Sequence, residues 1–180
     1  MFVHHKELLR PHYAFRSIAD IDFERLRADG IKKYLIDLDG TLVPWLTSYV
    51  DPRYRAKLEQ GFDEGWIEDI CVFSNAGIKP LALRVAYCAR KINAKWHACY
   101  RPGPMKPERE AFYPALGMID GCEEDTAIIG DQLAKDIAGG HAVGIRTVLV
   151  ESLNPPIIGR SYLPRNVRQI KELGIEFQRS

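Results

Sequence analysis

A doubly wound α/β domain, with a mainly parallel sheet of five strands and helices on both faces, is the fold class that the sequence predicts. Between residues 33 and 150, five short apolar runs alternate with longer segments that have helical spacing. Near-continuous apolar runs are typical of strands that are buried on both faces of a parallel sheet. The alternation indicates βαβ units, which bring the carboxyl ends of the strands to one edge of the sheet.

The element boundaries follow from where these runs begin and end. Strands are predicted over 33–38, 69–73, 94–100, 126–129 and 145–150, and helices over 54–65, 80–93, 107–116 and 131–142. Pro107 opens the third helix, because proline suits the first helical position. In the second helix, we expect the side that faces the sheet to carry Leu83, Ala86, Tyr87 and Ile92.

Two end segments lie outside this core. Residues 1–30 carry spaced apolar side chains and are expected to pack on the domain as an amphipathic lead-in. Residues 151–180 begin with a Pro-Pro loop signal and contain a charged helix candidate over 166–173. We therefore predict a single domain over residues 1–180, with its core at about 31–150.

The composition excludes several classes of protein. With 180 residues, 46% apolar residues and a formal net charge of +1, the chain resembles one soluble globular domain, and no charge excess would attract nucleic acid. Its four cysteines are far apart and form no CxxC pair, which disfavours a disulfide framework and a zinc knuckle. No apolar run approaches the roughly 20 residues that span a bilayer.

A cytoplasmic location is the expectation that follows, because the N-terminus has no apolar core of the kind that signal peptides contain. The segment from Lys6 to Arg16 is basic and amphipathic, and such segments can lie on a membrane surface. Packing against the core is the favoured interpretation of this segment, and peripheral membrane contact is the alternative. The sequence indicates no oligomeric state.

Polar side chains follow four of the predicted strands and would meet at the carboxyl edge of the sheet. In chain order they are Asp37, Asp39, Gly40 and Thr41, then Ser74 and Asn75, then Lys106, then Asp131 and Asp136. Clustered carboxylates repel one another and normally need a cation, and oxygen ligands without His or Cys favour Mg²⁺. A carboxylate can also attack phosphorus and form an aspartyl-phosphate. The set therefore predicts phosphoryl transfer.

Individual roles follow from the positions of these groups. Asp39 lies two residues after Asp37, on the same side of an extended strand end, so it can protonate a leaving oxygen and then activate water. Lys106 can offset the negative charge of the nucleophile and of the phosphate. The groups expected to hold phosphate oxygens are Gly40, Thr41, Ser74, Asn75 and Lys106.

Four of these segments resemble the ordered motifs of the haloacid dehalogenase-like superfamily. They are the DxDx[TV] motif at Asp37–Thr41, the second motif at Phe73–Asn75, the third-motif lysine Lys106 and the GDxxxxD motif at Gly130–Asp136. The resemblance covers roughly residues 31–150. It implies a Rossmann-like hydrolase fold and Mg²⁺ as the cofactor.

The resemblance also implies a role for each acidic residue. Asp37 would be the nucleophile and a metal ligand, and Asp131 would be a further metal ligand. Asp39 would be the general acid and base, and its backbone carbonyl would also reach the metal ion. Asp136 would orient the site or Lys106.

Within this superfamily, the chain is similar to the YqeG-type phosphatases, a group related to mitochondrial phosphatidylglycerophosphatases. The similarity lies in Thr41–Trp45, in the Gly-Asp-Gln sequence at 130–132 and in the amphipathic lead-in. Many of these relatives carry Asn where this chain has Gly40. The resemblance implies a phosphomonoesterase for phosphatidylglycerophosphate or another lipid-linked phosphate, with small soluble phosphate esters as the alternative.

The spacing of the motifs predicts a domain without a cap. One helix and one strand use most of the interval between Thr41 and Ser74, and the same holds between Ser74 and Lys106. The site should therefore be open at the sheet edge, with Trp45 on the substrate approach. Open sites suit a phosphate that is presented on a larger body.

Plainer interpretations of these residues stay open at this point. Lys106 and Asp136 have the alternative of being solvated surface charges, which is the commoner fate of such side chains. A low-turnover module that binds phosphate or Mg²⁺ is the alternative function. A receiver-type phosphoacceptor is a related one, although its accepting Asp follows the third strand and the candidate here follows the first.

Overall fold

Six parallel strands form the sheet of the computed structural model, which describes residues 7–75, 79–99, 103–154 and 162–178. The strands are β1 (Tyr13–Phe15), β2 (Lys33–Ile36), β3 (Asp69–Ser74), β4 (Trp96–Cys99), β5 (Thr126–Gly130) and β6 (Arg146–Val150). Their order across the sheet is β1-β6-β5-β2-β3-β4, and every neighbouring pair is parallel. The predicted α/β class and its five strands are confirmed. β1 was not predicted, because a three-residue edge strand leaves too short a pattern.

Helices connect the strands on both faces of the sheet. They are α1 (Phe23–Ala28), α2 (Pro52–Asp63), α3 (Lys79–Lys91), α4 (Arg109–Met118), α5 (Ala138–Ala142) and α6 (Tyr162–Glu172). A π-helical turn over Leu133–Ile137 leads directly into α5. The predicted start of α4 was wrong: Pro107 precedes the helix, in a turn where the amide of Glu108 donates to the carbonyl of Met105.

The face of α3 that packs on the sheet also differs from the prediction. Val85, Cys88 and Ile92 are fully buried, whereas Leu83 and Tyr87 are 63% and 42% exposed. Apolar residues surround most of this helix, so its spacing allowed two faces. The face with the smaller residues packs on the sheet, which it can approach more closely.

The central strand β2 contributes side chains to two separate hydrophobic cores. Tyr34 and Ile36 pack in a cluster with residues of α1, α2 and α3, and Leu35 packs on the opposite face with Phe112 of α4. This alternation is what a period of two gives on a strand that is covered on both faces. The two layers hold the carboxyl end of β2 at the centre of the sheet edge.

The lead-in packs on the domain, as expected. Ile18, Ile21, Phe23 and Leu26 are completely buried, and Leu8 is 43% exposed. Peripheral membrane contact by this segment stays a prediction.

No helix within the described ranges has the length and apolar character needed to cross a membrane. Cys71, Cys88 and Cys122 are free thiols.

At the other end of the chain, α6 covers the predicted helix candidate at 166–173 except for its last residue. The Pro-Pro loop before it lies outside the described residues.

Candidate active site

Asp37 lies directly beyond the end of β2 and is buried. Its amide donates to the carbonyl of Ile129 at 2.9 Å, so the backbone stays tied to β5 past the last residue of the strand. The chain then turns sharply: the amides of Leu42 and Val43 both donate to the carbonyl of Leu38 at 3.0 Å. Gly40 adopts φ = 95° in this turn, a left-handed conformation that favours glycine.

The ammonium of Lys106 lies between two carboxylates. Its Nζ donates to Asp37 Oδ1 at 2.5 Å, to Asp136 Oδ1 at 2.8 Å and to the carbonyl of Phe73 at 3.1 Å. Only 1% of the Lys106 side chain is exposed, and the same holds for Asp136. A buried charge of this kind is tolerated only when it is paired and hydrogen-bonded. The alternatives in which Lys106 and Asp136 are solvated surface charges are therefore wrong.

Hydrogen bonds that involve the backbone fix the positions of Lys106 and Asp136. The side-chain amide of Asn75 donates to the carbonyl of Lys106 and accepts from its backbone N–H at 3.0 Å. Asp136 Oδ2 accepts from the amide of Gln132 at 3.1 Å. A Cβ at Gly130 would collide with the Asp136 side chain, so glycine is needed there for the carboxylate to approach the end of β5.

Asp131 is completely buried at the end of β5. The hydroxyl of Ser152 donates to its Oδ2 at 2.6 Å, and the amide of Asn166 in α6 donates to its backbone carbonyl at 2.8 Å. A side chain at Gly40 would collide with Asp131 Oδ2 and would come within 2.7 Å of the Asn154 amide. Asn154 thus fills the space where a larger residue at position 40 would lie.

Asp37, Asp131 and Asp136 bring one carboxylate oxygen each to within 4.8 Å of one another. Two oxygens in this acidic group, Asp37 Oδ2 and Asp131 Oδ1, are buried and have no hydrogen-bond partner among the described residues. Buried polar atoms are normally paired, so these two oxygens indicate space for a ligand. An all-oxygen donor set fits a hard cation such as Mg²⁺.

The electrostatics of the acidic group match this interpretation. Burial raises the pKa of Asp37 to about 8, with Lys106 opposing and the neighbouring carboxylates adding to the shift. Burial and the charge of Asp136 raise the pKa of Asp131 to about 6. Burial alone would lower the pKa of Lys106, but its two carboxylate partners outweigh burial and raise it. One ammonium therefore does not neutralise three carboxylates, and a divalent cation would supply the missing charge.

Asp39 lies apart from the acidic group. Its Oδ1 accepts from the amide of Leu46 at 3.0 Å, and its Oδ2 accepts from Arg84 Nη2 at 2.5 Å. Arg84 Nη1 also donates to the carbonyl of Thr47 at 2.7 Å. The predicted contact of the Asp39 backbone carbonyl with a metal ion stays a prediction.

Six of the nine predicted site residues line one cavity of about 230 Å³ at the sheet edge: Asp37, Asp39, Ser74, Asn75, Lys106 and Asp136. Trp45, expected on the substrate approach, also lines it and is 42% exposed. Gly40, Thr41 and Asp131 lie outside this lining. The Thr41 hydroxyl is buried with no hydrogen-bond partner among the described residues.

Sequence reasoning missed four residues that shape the site. Ser152 and Asn154 follow β6, so the same strand-end argument applied to that strand would have found them. Arg84 lies within α3 and Asn166 within α6, far along the chain from any motif. No local signal in the sequence marks either of them.

Comparison with known proteins supports the assignment from the site. The model of the HAD-hydrolase-like family matches residues 105–152. The probable phosphatase YqeG of Bacillus subtilis (strain 168) is 28% identical over 173 residues, which cover 92% of this chain and 89% of that protein. Phosphatidylglycerophosphate phosphatase 1, chloroplastic/mitochondrial, of Arabidopsis thaliana is 29% identical over 178 residues. That match covers 93% of this chain but only 47% of the plant protein, so the chain spans about half the length of this relative.

A solved structure shows the same fold. The crystal structure of an uncharacterized protein from Listeria monocytogenes serotype 4b superimposes with a TM-score of 0.52 at 14% identity. The match covers 79% of this chain and 99% of that one.

Fold, motifs and relatives agree on one class. The chain is similar to the haloacid dehalogenase-like superfamily, in agreement with the resemblance of its four ordered motifs. It is a phosphatase, similar to YqeG and to the phosphatidylglycerophosphate phosphatases. Its capless architecture agrees with this placement: in the described residues, α2 and β3 follow the first motif, and α3 and β4 follow the second.

Proposed function

We propose that this protein is a Mg²⁺-dependent phosphomonoester hydrolase that works through an aspartyl-phosphate at Asp37. The observation that carries the proposal is the acidic group held against Lys106, with two buried carboxylate oxygens that lack a partner. A surface cluster of carboxylates would show neither the burial nor the shared ammonium. The phosphatases among its relatives support the same chemistry.

Asp37 and Asp131 are the residues that we expect to hold the metal ion, because each has a free buried oxygen. Both oxygens of Asp136 already have partners, which favours its role in orienting Lys106. Mg²⁺, when bound, would neutralise charge on the phosphate and on the carboxylates. Asp39 would add its backbone carbonyl to the ligand set.

In the first half of the reaction, a carboxylate oxygen of Asp37 forms a bond to phosphorus while the ester P–O bond breaks. The electron pair of that bond goes to the leaving oxygen, which takes a proton from the Asp39 carboxyl. In the second half, water attacks phosphorus and gives a proton to Asp39 while the bond to Asp37 breaks. Inorganic phosphate leaves, and both carboxyl groups return to their initial states.

Lys106 acts in this scheme by holding Asp37 in position and offsetting charge as phosphorus is attacked. Its three hydrogen bonds fix the ammonium, so little reorganisation is needed during the reaction. Ser74, Thr41 and the backbone N–H groups near Gly40 and Asn75 are the proposed contacts of the phosphate oxygens.

The proposed substrate is phosphatidylglycerophosphate or a similar lipid-linked phosphate. The plant relative supports this choice through its name. Trp45, Leu46 and Met105 also support it, because these apolar residues beside the catalytic positions are each more than 40% exposed. Because the site has no cap among the described residues, these exposed apolar side chains are free to contact a bulky apolar substrate. Small soluble phosphate esters are the alternative. A cytoplasmic location, peripheral to the membrane, would suit the lipid substrate.

A substrate screen tests the proposal. Phosphate release is measured from phosphatidylglycerophosphate in mixed micelles and from sugar, nucleotide and peptide phosphates, with Mg²⁺ and with a chelator, using Asp37→Asn as the matched control. We expect Mg²⁺-dependent release from the lipid by the native protein alone. A strong preference for a soluble ester would reject the lipid substrate. No hydrolysis of any ester with Mg²⁺ present would favour the low-turnover binding module.

A further inference from the structure

We propose that Arg84 is a positioning residue for proton transfer, which holds the Asp39 carboxyl where the leaving oxygen of the substrate departs. This inference rests on the proposed function. Arg84 belongs to none of the four motifs, and it lies on a helix that the motifs do not include. Its role follows from its contacts.

Two elements of the fold hold Asp39 from opposite sides. Arg84 Nη2 reaches its Oδ2 from α3, and the amide of Leu46 reaches its Oδ1 from the loop after β2. Each carboxylate oxygen therefore has one donor, and the two donors together fix the plane of the group. The second contact of Arg84, with the carbonyl of Thr47, ties the same loop to the helix.

The helix gives Arg84 a fixed base. Val85, the next residue, and Cys88, about one turn further along α3, are completely buried in the core. Only 10% of the Arg84 side chain is exposed, against 23% of the Asp39 side chain. A planar guanidinium that is held this firmly can orient a carboxylate, because its donors lie in a fixed geometry.

A purely structural role for Arg84 does not explain why its Nε is placed without a hydrogen-bond partner in the part of the chain that the structure describes. Arg84 Nε is buried and has no hydrogen-bond partner among the described residues. Structural arginines at a buried position normally satisfy their donors, since an unpaired one is costly. The orphan donor agrees with a residue that is placed for a site rather than for packing.

Arg84 and Lys106 serve different carboxylates. Lys106 contacts Asp37, Asp136 and the carbonyl of Phe73, whereas Arg84 contacts Asp39 and the carbonyl of Thr47. Removing Arg84 should therefore leave the nucleophile in place and impair only the step that needs the Asp39 proton. That step matters when the leaving oxygen is strongly basic, and much less when it is stable as an anion.

Comparing esters with different leaving groups therefore distinguishes a positioning role of Arg84 from a general loss of structure. We would measure kcat/KM, which includes the steps up to departure of the leaving group, for phenyl phosphate and p-nitrophenyl phosphate. The two esters have similar shapes, but phenolate needs a proton far more than p-nitrophenolate does. The variants are Arg84→Met, Arg84→Lys, Asp39→Asn and the double variant Arg84→Met with Asp39→Asn.

We expect Arg84→Met to lower kcat/KM for phenyl phosphate about tenfold more than for p-nitrophenyl phosphate. Asp39→Asn should show the same selectivity with a larger loss, and Arg84→Met should add less than about threefold to it. Arg84→Lys should recover part of the loss, because it restores one donor. The control is Arg90→Met, an exposed arginine on the same helix, which should change neither value.

Equal losses for both esters, or a full further loss in the double variant, would overturn the role of Arg84 and leave the proposed function intact. Turnover by Asp37→Asn, or no Mg²⁺-dependent hydrolysis of either ester by the native protein, would overturn the proposed function and this inference with it. Thermal unfolding monitored by circular dichroism checks the fold of each variant. If Arg84→Met does not fold, Arg84→Lys carries the same comparison.

Discussion

Two groups of ion pairs lie at the same edge of the sheet and are built differently. The inner one joins Lys106 to Asp37 and Asp136, with side-chain exposures of 1%, 9% and 1%. The outer one joins Arg84 to Asp39, with exposures of 10% and 23%. The inner ammonium meets three acceptors in the protein interior, whereas the outer carboxylate is held by a helix and a loop at the mouth of the cavity.

This difference separates two tasks. A nucleophile needs a fixed position and a constant field, and burial beside the hydrogen-bonded ammonium of Lys106 provides both. A group that exchanges protons with a leaving oxygen and then with water needs access to the cavity. The structure therefore assigns rigidity to Asp37 and access to Asp39, as the proposed roles require.

The largest effect should come from the nucleophile itself. Asp37→Asn removes the attacking carboxylate and keeps the side-chain shape, so turnover should fall by about 10⁴-fold or more while the fold is retained. Steady-state phosphate release and thermal unfolding measure the two properties. Turnover within about tenfold of the native value would contradict the role of Asp37.

Lys106→Met should affect both stability and turnover. It leaves the buried carboxylates of Asp37 and Asp136 without their cation, so the free energy of unfolding should fall by about 3–5 kcal/mol near neutral pH. Urea denaturation with and without Mg²⁺ measures this loss, and added Mg²⁺ should restore part of it. Lys95→Met, at an exposed lysine, is the control. A loss below about 1 kcal/mol would show that the inner pair is not electrostatically essential.

Mg²⁺ binding should tighten as the pH rises from 5 to 8. The folded-state pKa values of about 8 for Asp37 and about 6 for Asp131 lie above their ordinary values, so bound protons compete with the metal ion at low pH. By the same linkage, these raised values should make the metal-free fold lose stability as the pH rises through this range. Titration calorimetry in buffers of different ionisation enthalpy would detect proton release. An affinity independent of pH, without proton release, would refute this account.

The smallest effect should come from an ion pair on the surface. Arg168 and Glu172 lie four residues apart on α6 and are 80% and 50% exposed. Arg168→Ala should change the free energy of unfolding by no more than about 0.5 kcal/mol and leave turnover unchanged, because solvent screens such pairs. Denaturant unfolding of this variant beside Lys106→Met would calibrate the difference between surface and buried pairs. A loss as large as that of Lys106→Met would remove the distinction.

The sequence alone predicted the central strands and the motif residues, because both have local patterns. β2 and β5 are apolar runs that end in polar residues, and their carboxylates lie where the rule for parallel sheets places them. The packed face of α3 was mispredicted, since a helix with apolar residues on most sides does not show which face the sheet will cover. β1 was missed because its pairing with β6 depends on contacts across the whole chain.

The same limit applies to the site. The burial of Lys106 and its sharing by two carboxylates are tertiary facts, and the sequence allowed a solvated lysine at that position. Arg84 reaches Asp39 across 45 positions of sequence, and nothing around it distinguishes it from the other basic residues of α3. Pairing between distant elements is the part of a site that local patterns do not contain.

The most direct test of the central claim is to trap phosphate on Asp37. The native protein and Asp39→Asn would be mixed with p-nitrophenyl phosphate and Mg²⁺, quenched in acid during turnover, digested and analysed by mass spectrometry. We predict one phosphoryl group on the peptide that contains Asp37, removable by hydroxylamine and longer-lived in Asp39→Asn. Turnover without phosphate on that peptide, or with phosphate on a different residue, would contradict the account.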